Sequence, residues 1–150
     1  MRKLLVAVLA VGGAFVAVNA LGFGASGSGD AVHRVKVPHA DRFTPYGITV
    51  HVGDRVKWVN TDTDDHTVVA DSAFDTAGHK GTNSRLKANG GTLSLRFKHP
   101  GTFVYYCRFH AHLDGHNQPV APGPDGGIAS KSGNFGTPMS GVITVLPRRG

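Results

Sequence analysis

The sequence predicts an all-β fold, a small β-sandwich or barrel, and three observations support this prediction. Short runs alternate apolar and polar residues with a period of two, and β-branched and aromatic residues dominate them. Turn-forming residues separate the runs, as at Gly53-Asp54, Gly90-Gly91 and Pro100-Gly101. No stretch after the first 30 residues shows a long helical period. We therefore expect about seven to eight strands and at most one turn of helix, over residues 86–88.

The expected strands share this alternation and cover seven segments: 32–37, 48–52, 56–60, 66–70, 92–97, 102–107 and 142–146. Two connections are longer than turns. Residues 71–89 form a polar connection, and residues 114–138 are rich in Gly and Pro. We interpret the second as a long inserted loop within one domain that spans residues 32–147, because only one strand follows it.

The N-terminus has the features of an export signal. Arg2 and Lys3 precede an almost wholly apolar segment that ends in Val18-Asn19-Ala20, the small residues that a signal peptidase requires. We predict a signal peptide over residues 1–20 and a flexible lead-in over residues 21–31. An uncleaved membrane anchor is the alternative, since the apolar run reaches Phe23 and is about long enough to span a bilayer. Either interpretation predicts an extracytoplasmic location: periplasmic, secreted or at the cell surface.

Composition limits the function classes. The chain has 150 residues, nine His, a single Cys and a net charge of +6. One Cys excludes an intramolecular disulfide framework, a cysteine-rich zinc fold, a four-cysteine iron–sulfur site and a copper centre built on two thiolates. The positive charge is mild and could steer an acidic partner. Its Lys and Arg residues do not cluster, so nucleic-acid binding is disfavoured.

The lone Cys lies among histidines. Cys107 ends an apolar run and is followed by His110, while His66 begins another strand and Met139 directly precedes the last one. A lone buried Cys is often only a small core residue. One thiolate, two imidazoles and a weak thioether are, however, the ligand set of a blue-copper electron-transfer site.

These residues stand in motifs that resemble the cupredoxins of the plastocyanin/amicyanin type. The similarity runs over residues 43–62, continues with His66-Thr-Val, and returns over residues 97–110 and in Met139-Ser-Gly-Val. It covers roughly residues 32–146. The resemblance implies a Greek-key β-sandwich with one type 1 copper ion that cycles between Cu(II) and Cu(I).

The same resemblance implies His66, Cys107, His110 and Met139 as the copper ligands. It also implies that Asn60, which has five residues between it and His66, helps to tie the two ligand-bearing segments together.

The ligand loop departs from the family, because 31 residues separate Cys107 from Met139. Leu113 stands where the shortest loops place Met, and it would leave a three-coordinate site of higher potential. Met139 is favoured because it can coordinate and begins the last strand. His112 is the alternative to His110 as the second imidazole ligand.

The sequence therefore predicts an exported one-electron carrier. No acid/base pair or activated nucleophile is visible, so we do not expect an enzyme, and the expected partners are other redox proteins that bind transiently. Three alternatives stay open: a copper-delivery protein that uses the His-rich insert, a structural or adhesion domain with a vestigial site, and a subunit of a copper redox enzyme. The last would have a second metal at His112, Asp114 and His116. The acidic run at Asp62, Asp64 and Asp65 is interpreted as a solvated turn.

Overall fold

A computed structural model describes residues 30–71, 82–128 and 136–148 of the chain. These residues form ten strands: β1 (Val32–Val37), β2 (Gly47–His51), β3 (Arg55–Asn60), β4 (His66–Asp71), β5 (Thr82–Leu86), β6 (Thr92–Arg96), β7 (Gly101–Tyr106), β8 (His112–Leu113), β9 (Pro119–Val120) and β10 (Ser140–Leu146). The expected signal peptide at residues 1–20 and most of the expected lead-in lie outside the described residues. Within the described ranges, no helix is long and apolar enough to cross a membrane.

The strands form two sheets and a short ribbon. The first sheet has the order β1-β3-β6, and the second has the order β2-β10-β7-β4-β5. The pairs β1/β3 and β2/β10 are parallel, whereas the other pairs in the two sheets are antiparallel. Strands β8 and β9 form the ribbon. The predicted all-β sandwich is confirmed, with eight strands in its two sheets.

Alternation along the strands creates one apolar core between the sheets. In β3, Val56, Trp58 and Asn60 point inward, and their neighbours in sequence are partly exposed. The Trp58 ring meets Tyr105 of β7 edge-on, with 5.4 Å between the ring centroids. Tyr105 also contacts Phe43 in this way at 4.7 Å. These aromatic contacts join the two sheets and fix the frame that carries the ligand residues.

All seven predicted strands are present, but the polar connection was predicted incompletely. Strand β5 lies within residues 71–89 and pairs with β4 at the edge of the five-stranded sheet. Residues 86–88, where the sequence allowed at most one helical turn, form no helix, because Leu86 ends this strand. Only Thr82 and Leu86 of β5 are buried, so the strand lacks the apolar alternation that predicts strands.

The insert also has more structure than an uninterrupted loop. Its ribbon turn is closed by Asp114, whose carboxylate accepts the N–H groups of His116 and Gln118 at 2.8 and 2.9 Å. Farther along, the Asp125 N–H donates to the Phe109 carbonyl at 2.7 Å. The first part of the insert therefore folds back onto the segment that follows Cys107. Residues 129–135 lie outside the described residues.

Candidate metal centre

The three central strands of the five-stranded sheet, β10, β7 and β4, bring one residue each to the same end of the sheet. His66 begins β4, Cys107 directly follows β7, and Met139 directly precedes β10. The antiparallel register places Ser140 opposite Tyr106, so the residues just beyond this pair are adjacent. The Cys107 N–H accordingly donates to the Met139 carbonyl at 2.9 Å. The sheet thus brings together residues that are far apart in the sequence.

His66, Cys107 and His110 form a tight cluster, and their ligand atoms all lie within 4.8 Å of one another. The Cys107 sulfur is 3.8 Å from His66 Nδ1, and the centroids of the two imidazole rings are 5.2 Å apart. His66 and Cys107 are 0% exposed and His110 is 6% exposed. Only the His110 side of the cluster therefore approaches the surface.

A short turn holds His110 beside Cys107. The His110 N–H donates to the Cys107 carbonyl at 3.1 Å, and the Met139 N–H donates to the His110 carbonyl at 3.3 Å. The three residues are thereby linked through their backbones, independently of their side chains. Such links restrict the movement of the side chains that the backbone carries.

The two imidazoles present different environments at their two nitrogens. Nδ1 of His66 faces the sulfur, while its Nε2 lies 3.4 Å from Asp62 and 3.9 Å from Asp41. Nε2 of His110 lies 3.5 Å from Asp41. Nδ1 of His110 is buried and has no hydrogen-bond partner among the described residues. An orphaned buried nitrogen is costly unless a ligand satisfies it, which makes this atom suited to a metal.

A family model for copper binding proteins of the plastocyanin/azurin family matches residues 34–116. The chain belongs to this family of copper-binding proteins. The match contains His66, Cys107 and His110 and ends before Met139. Together with Met139, these three residues form a cupredoxin-like site, and the protein is a blue copper protein.

Solved amicyanin structures share the fold of this cupredoxin. An oxidised mutant of amicyanin is 20% identical, covers 77% of this chain and 82% of its own, and has a TM-score of 0.51. A reduced mutant is 19% identical, covers 78% and 84%, and has a TM-score of 0.50. Amicyanin from Paracoccus versutus is 16% identical, covers 79% and 83%, and has a TM-score of 0.47. At these identities the first two likenesses establish the fold alone.

The donor set of this cupredoxin fits a copper ion. An ion about 2.0 Å from an imidazole nitrogen and about 2.3 Å from a sulfur separates the two ligand atoms by roughly 3.5–4 Å. The 3.8 Å between His66 Nδ1 and the Cys107 sulfur meets this requirement. The mixture of thiolate and imidazole suits both Cu(I) and Cu(II). The cofactor of this protein is one copper ion.

Met139 and Leu113, the two candidates for the axial position, lie in different apolar clusters. Met139 is fully buried in the main core together with Cys107. Leu113 is partly buried and packs against a second cluster of Val69, Tyr106 and Ala111. The return of the insert at the start of β10 therefore places Met139, and not Leu113, in the cluster that contains the thiolate.

The other histidines that follow Cys107 lie apart from it. His112 is exposed, and its Nδ1 is 2.8 Å from the Pro122 carbonyl. Among the described residues, two groups of three or more His, Cys or Asp side chains come close enough to share a metal. One consists of His66, Cys107 and His110, and the other consists of Asp41, Asp62 and His66. The second site considered at His112, Asp114 and His116 is in neither group.

Asn60 was expected to tie the His66 segment to the Cys107 segment, but its side-chain amide bonds to other residues. Its amide donates to the carbonyls of Asp64, Leu86 and Lys87 at 2.8, 3.1 and 3.1 Å. It thus joins the loop before His66 to the end of β5.

Thr67, the second residue of β4, links the His66 segment to the Cys107 segment instead. Its N–H donates to the Cys107 sulfur at 3.3 Å, and its hydroxyl accepts the Arg108 N–H at 2.9 Å. The motif His66-Thr67 contained this residue, but its small polar side chain gave no indication of the role.

The protein environment prepares Cys107 to act as a thiolate. Burial opposes ionisation, but the facing His110 ring and the N–H groups of Thr67 and Phe109 outweigh it and lower the pKa of the thiol. Burial likewise opposes protonation of His110, but Cys107 and Asp41 outweigh it and raise the pKa of the imidazole. Protons and copper therefore compete for the His110 ring in the metal-free protein.

Sequence reasoning missed two acidic residues at this site. The interpretation of Asp62 as part of a solvated turn is wrong, because its side chain is buried and its carboxylate lies 3.4 Å from His66 Nε2. Asp41 reaches the site from the loop after β1. No local pattern distinguishes Asp62 from the neighbouring Asp64 and Asp65 in the sequence.

Proposed function

We propose that this protein is an exported electron carrier that passes single electrons between redox proteins. The observation that carries the proposal is the buried cluster of His66, Cys107 and His110 beside Met139, at one end of the five-stranded sheet. Copper, when bound there, supplies a one-electron couple between Cu(II) and Cu(I). The protein is in this account a carrier and not an enzyme.

Within this proposal, His66 Nδ1, His110 Nδ1 and the Cys107 thiolate would hold the ion, and the Met139 thioether would be an additional weak ligand. Thiolate and thioether favour Cu(I), and the imidazoles also accept Cu(II). The ends of β4, β7 and β10 hold these side chains away from water, and the Thr67 N–H orients the sulfur. A ligand set fixed in this way changes little between the two oxidation states, which favours rapid electron transfer.

Electrons would enter and leave near His110, the least buried member of the cluster. A cavity of about 500 Å³ opens there and is lined by seven residues: Asp41, Asp64, Asp65, Arg85, Phe109, His110 and Asp125. Asp65 is paired with Arg85 and Lys87, but the other three carboxylates leave this region more acidic than the chain as a whole. We infer a transient partner with basic groups on its docking face, and we expect added salt to slow electron exchange with it.

Export is part of the proposal because of the signal-like segment at residues 1–20. An extracytoplasmic compartment tends to oxidise free thiols. Ligation to copper would protect the lone Cys107 thiolate there. N-terminal sequencing of the protein purified from its native compartment tests this point, and a chain that begins at Met1 in the cytoplasm would contradict it.

Protein-film voltammetry on the copper-loaded protein tests electron transfer. We expect one reversible one-electron wave with one bound copper per chain. The same preparation is then mixed with a metal-free copper-binding acceptor protein. A carrier retains its copper in this mixture. An irreversible wave, or rapid transfer of copper to the acceptor, would instead favour a delivery protein.

Replacement of Met139 by Leu tests the axial position. The two side chains have similar volumes, so the substitution should cost less than about 1.5 kcal/mol of stability. We expect the reduction potential to rise, by about 59 mV for each tenfold loss of Cu(II) relative to Cu(I) affinity, and the visible spectrum to change. Leu113→Ala is the control and should leave both unchanged. A potential that responds to Leu113 and not to Met139 would reverse the assignment.

A further inference from the structure

Asp62 is a buried carboxylate that contacts His66 on the side of the ring away from the Cys107 sulfur. It lies in the loop between β3 and β4, and the residue is 3% exposed. Its Oδ2 is 3.4 Å from His66 Nε2, and its Oδ1 is 2.9 Å from His39 Nδ1. The Thr63 N–H also donates to Oδ1 at 2.6 Å. A buried charge is costly without such partners, so the carboxylate is held in one place by three groups.

We propose that Asp62 is a positioning residue of the copper centre. Its Oδ2 accepts the Nε2–H of His66, which keeps the proton on Nε2 and leaves Nδ1 free to face the Cys107 sulfur. The inference rests on the proposed ligand role of His66. Ring nitrogens that do not bind the metal commonly donate to a carboxylate, and this contact fixes the tautomer, the ring orientation and the basicity of the ligand.

The partners of Asp62 suit an ionised carboxylate. The Thr63 N–H donates to Oδ1, and the His39 and His66 rings lie 2.9 and 3.4 Å from its two oxygens. The negative charge lies behind an imidazole that is itself 0% exposed, where solvent screens it weakly. Such a charge would stabilise a bound Cu(II) more than Cu(I). Asp41, which is 3.5 Å from His110 Nε2 and 3.9 Å from His66 Nε2, adds charge of the same sign.

Asp62 also has contacts that stabilise the loop. The Asn60 side-chain oxygen accepts its N–H at 2.9 Å, and its own carbonyl accepts the Asn89 N–H at 2.8 Å. Both contacts use the backbone of Asp62, so a change of its side chain retains them. If Asp62 had only a structural role, replacing its side chain would change stability alone. In the proposed role, the replacement also changes the tautomer of His66 and the ratio of Cu(II) to Cu(I) affinity.

The first experiment uses the metal-free protein, so that it does not depend on electron transfer. Nitrogen-15 NMR at neutral pH reports which ring nitrogen of His66 carries the proton. We expect the Nε2–H tautomer in the wild-type protein and a mixture of tautomers in Asp62→Ala. A folded Asp62→Ala protein with the wild-type tautomer ratio would overturn the proposal, even if the protein carries electrons as proposed.

The second experiment separates charge from hydrogen bonding. Asp62→Asn retains an acceptor oxygen but removes the charge, and Asp64→Asn removes the same charge from an exposed neighbour that lines the cavity. Loss of such a partner typically weakens metal binding 10–100-fold. Competition titrations with Cu(II) and Cu(I) should show the ratio of Cu(II) to Cu(I) affinity falling about tenfold in Asp62→Asn, which equals about 59 mV.

Asp64→Asn should change this ratio less than twofold. Equal ratios in the two Asn variants would overturn the proposal. If Asp62→Ala does not fold, the comparison of the two Asn variants decides the question alone. If the ratio falls as expected but the voltammetry shows no reversible wave, the role of Asp62 stands and the carrier function fails.

Discussion

Cys107→Ser is expected to abolish the intense visible absorption of the copper-loaded protein. That absorption requires charge transfer from a thiolate, and the lone Cys is the only residue in the chain that can supply one. The substitution exchanges a sulfur for a smaller oxygen at a fully buried position. The hydroxyl can still accept the Thr67 N–H that now reaches the sulfur, so we expect the fold to be retained.

The effect on affinity should also be large. A serine hydroxyl is a hard oxygen donor and a poor ligand for Cu(I). Loss of a residue that only hydrogen-bonds to a metal ligand weakens binding by up to about 100-fold. Because Cys107 is itself a ligand, we expect the Cu(I) affinity to fall by more than this. Visible spectroscopy and a Cu(I) competition titration measure the two effects. His112→Ala is the control for the alternative ligand and should keep the colour, whereas a coloured Cys107→Ser protein would refute the thiolate assignment.

Asn60→Ala is expected to destabilise the metal-free protein by about 2–4 kcal/mol. Asn60 is 0% exposed, and its amide satisfies three carbonyls while its oxygen accepts the Asp62 N–H. Its loss removes the buried contacts to the Leu86 carbonyl and the Asp62 N–H, whereas the Lys87 carbonyl still accepts the Gly91 N–H at 2.9 Å. It also releases the loop that carries Asp62 toward His66, so copper affinity should fall together with stability.

Urea unfolding of the metal-free protein measures this change. Asn83→Ala is the matched control, because Asn83 is an exposed amide on β5, and it should change stability by less than about 0.5 kcal/mol. A loss below about 1 kcal/mol in Asn60→Ala would show that the three carbonyls find other partners and that Asn60 does not anchor the loop.

The sequence predicted the frame of the site well, because the frame rests on simple periodicity. Seven strands were predicted from alternation, and their ends lie within one or two residues of those observed. The burial pattern of β3, with Val56, Trp58 and Asn60 inward, follows from a period of two. Strand β5 escaped because an edge strand that buries only its first and last residues has no such pattern.

The position of Met139 could be argued from the sequence only by topology. The long insert made chain distance uninformative. The antiparallel pairing of β10 with β7, which fixes Met139 beside Cys107, is a property of the sheet. The burial of Asp62 was not predictable in the same way. It depends on loop geometry that turns one of three neighbouring Asp residues inward, and local sequence does not distinguish them.

The central claim is that one copper ion binds to the Cys107 thiolate and to the imidazoles of His66 and His110. The most direct measurement is a titration of the purified metal-free protein with Cu(II), followed by visible and electron paramagnetic resonance spectra. The account predicts an intense blue or green band that saturates at one copper per chain, while the thiol loses its reactivity toward a thiol reagent. A colourless protein with a freely reactive Cys107 at saturation would contradict it.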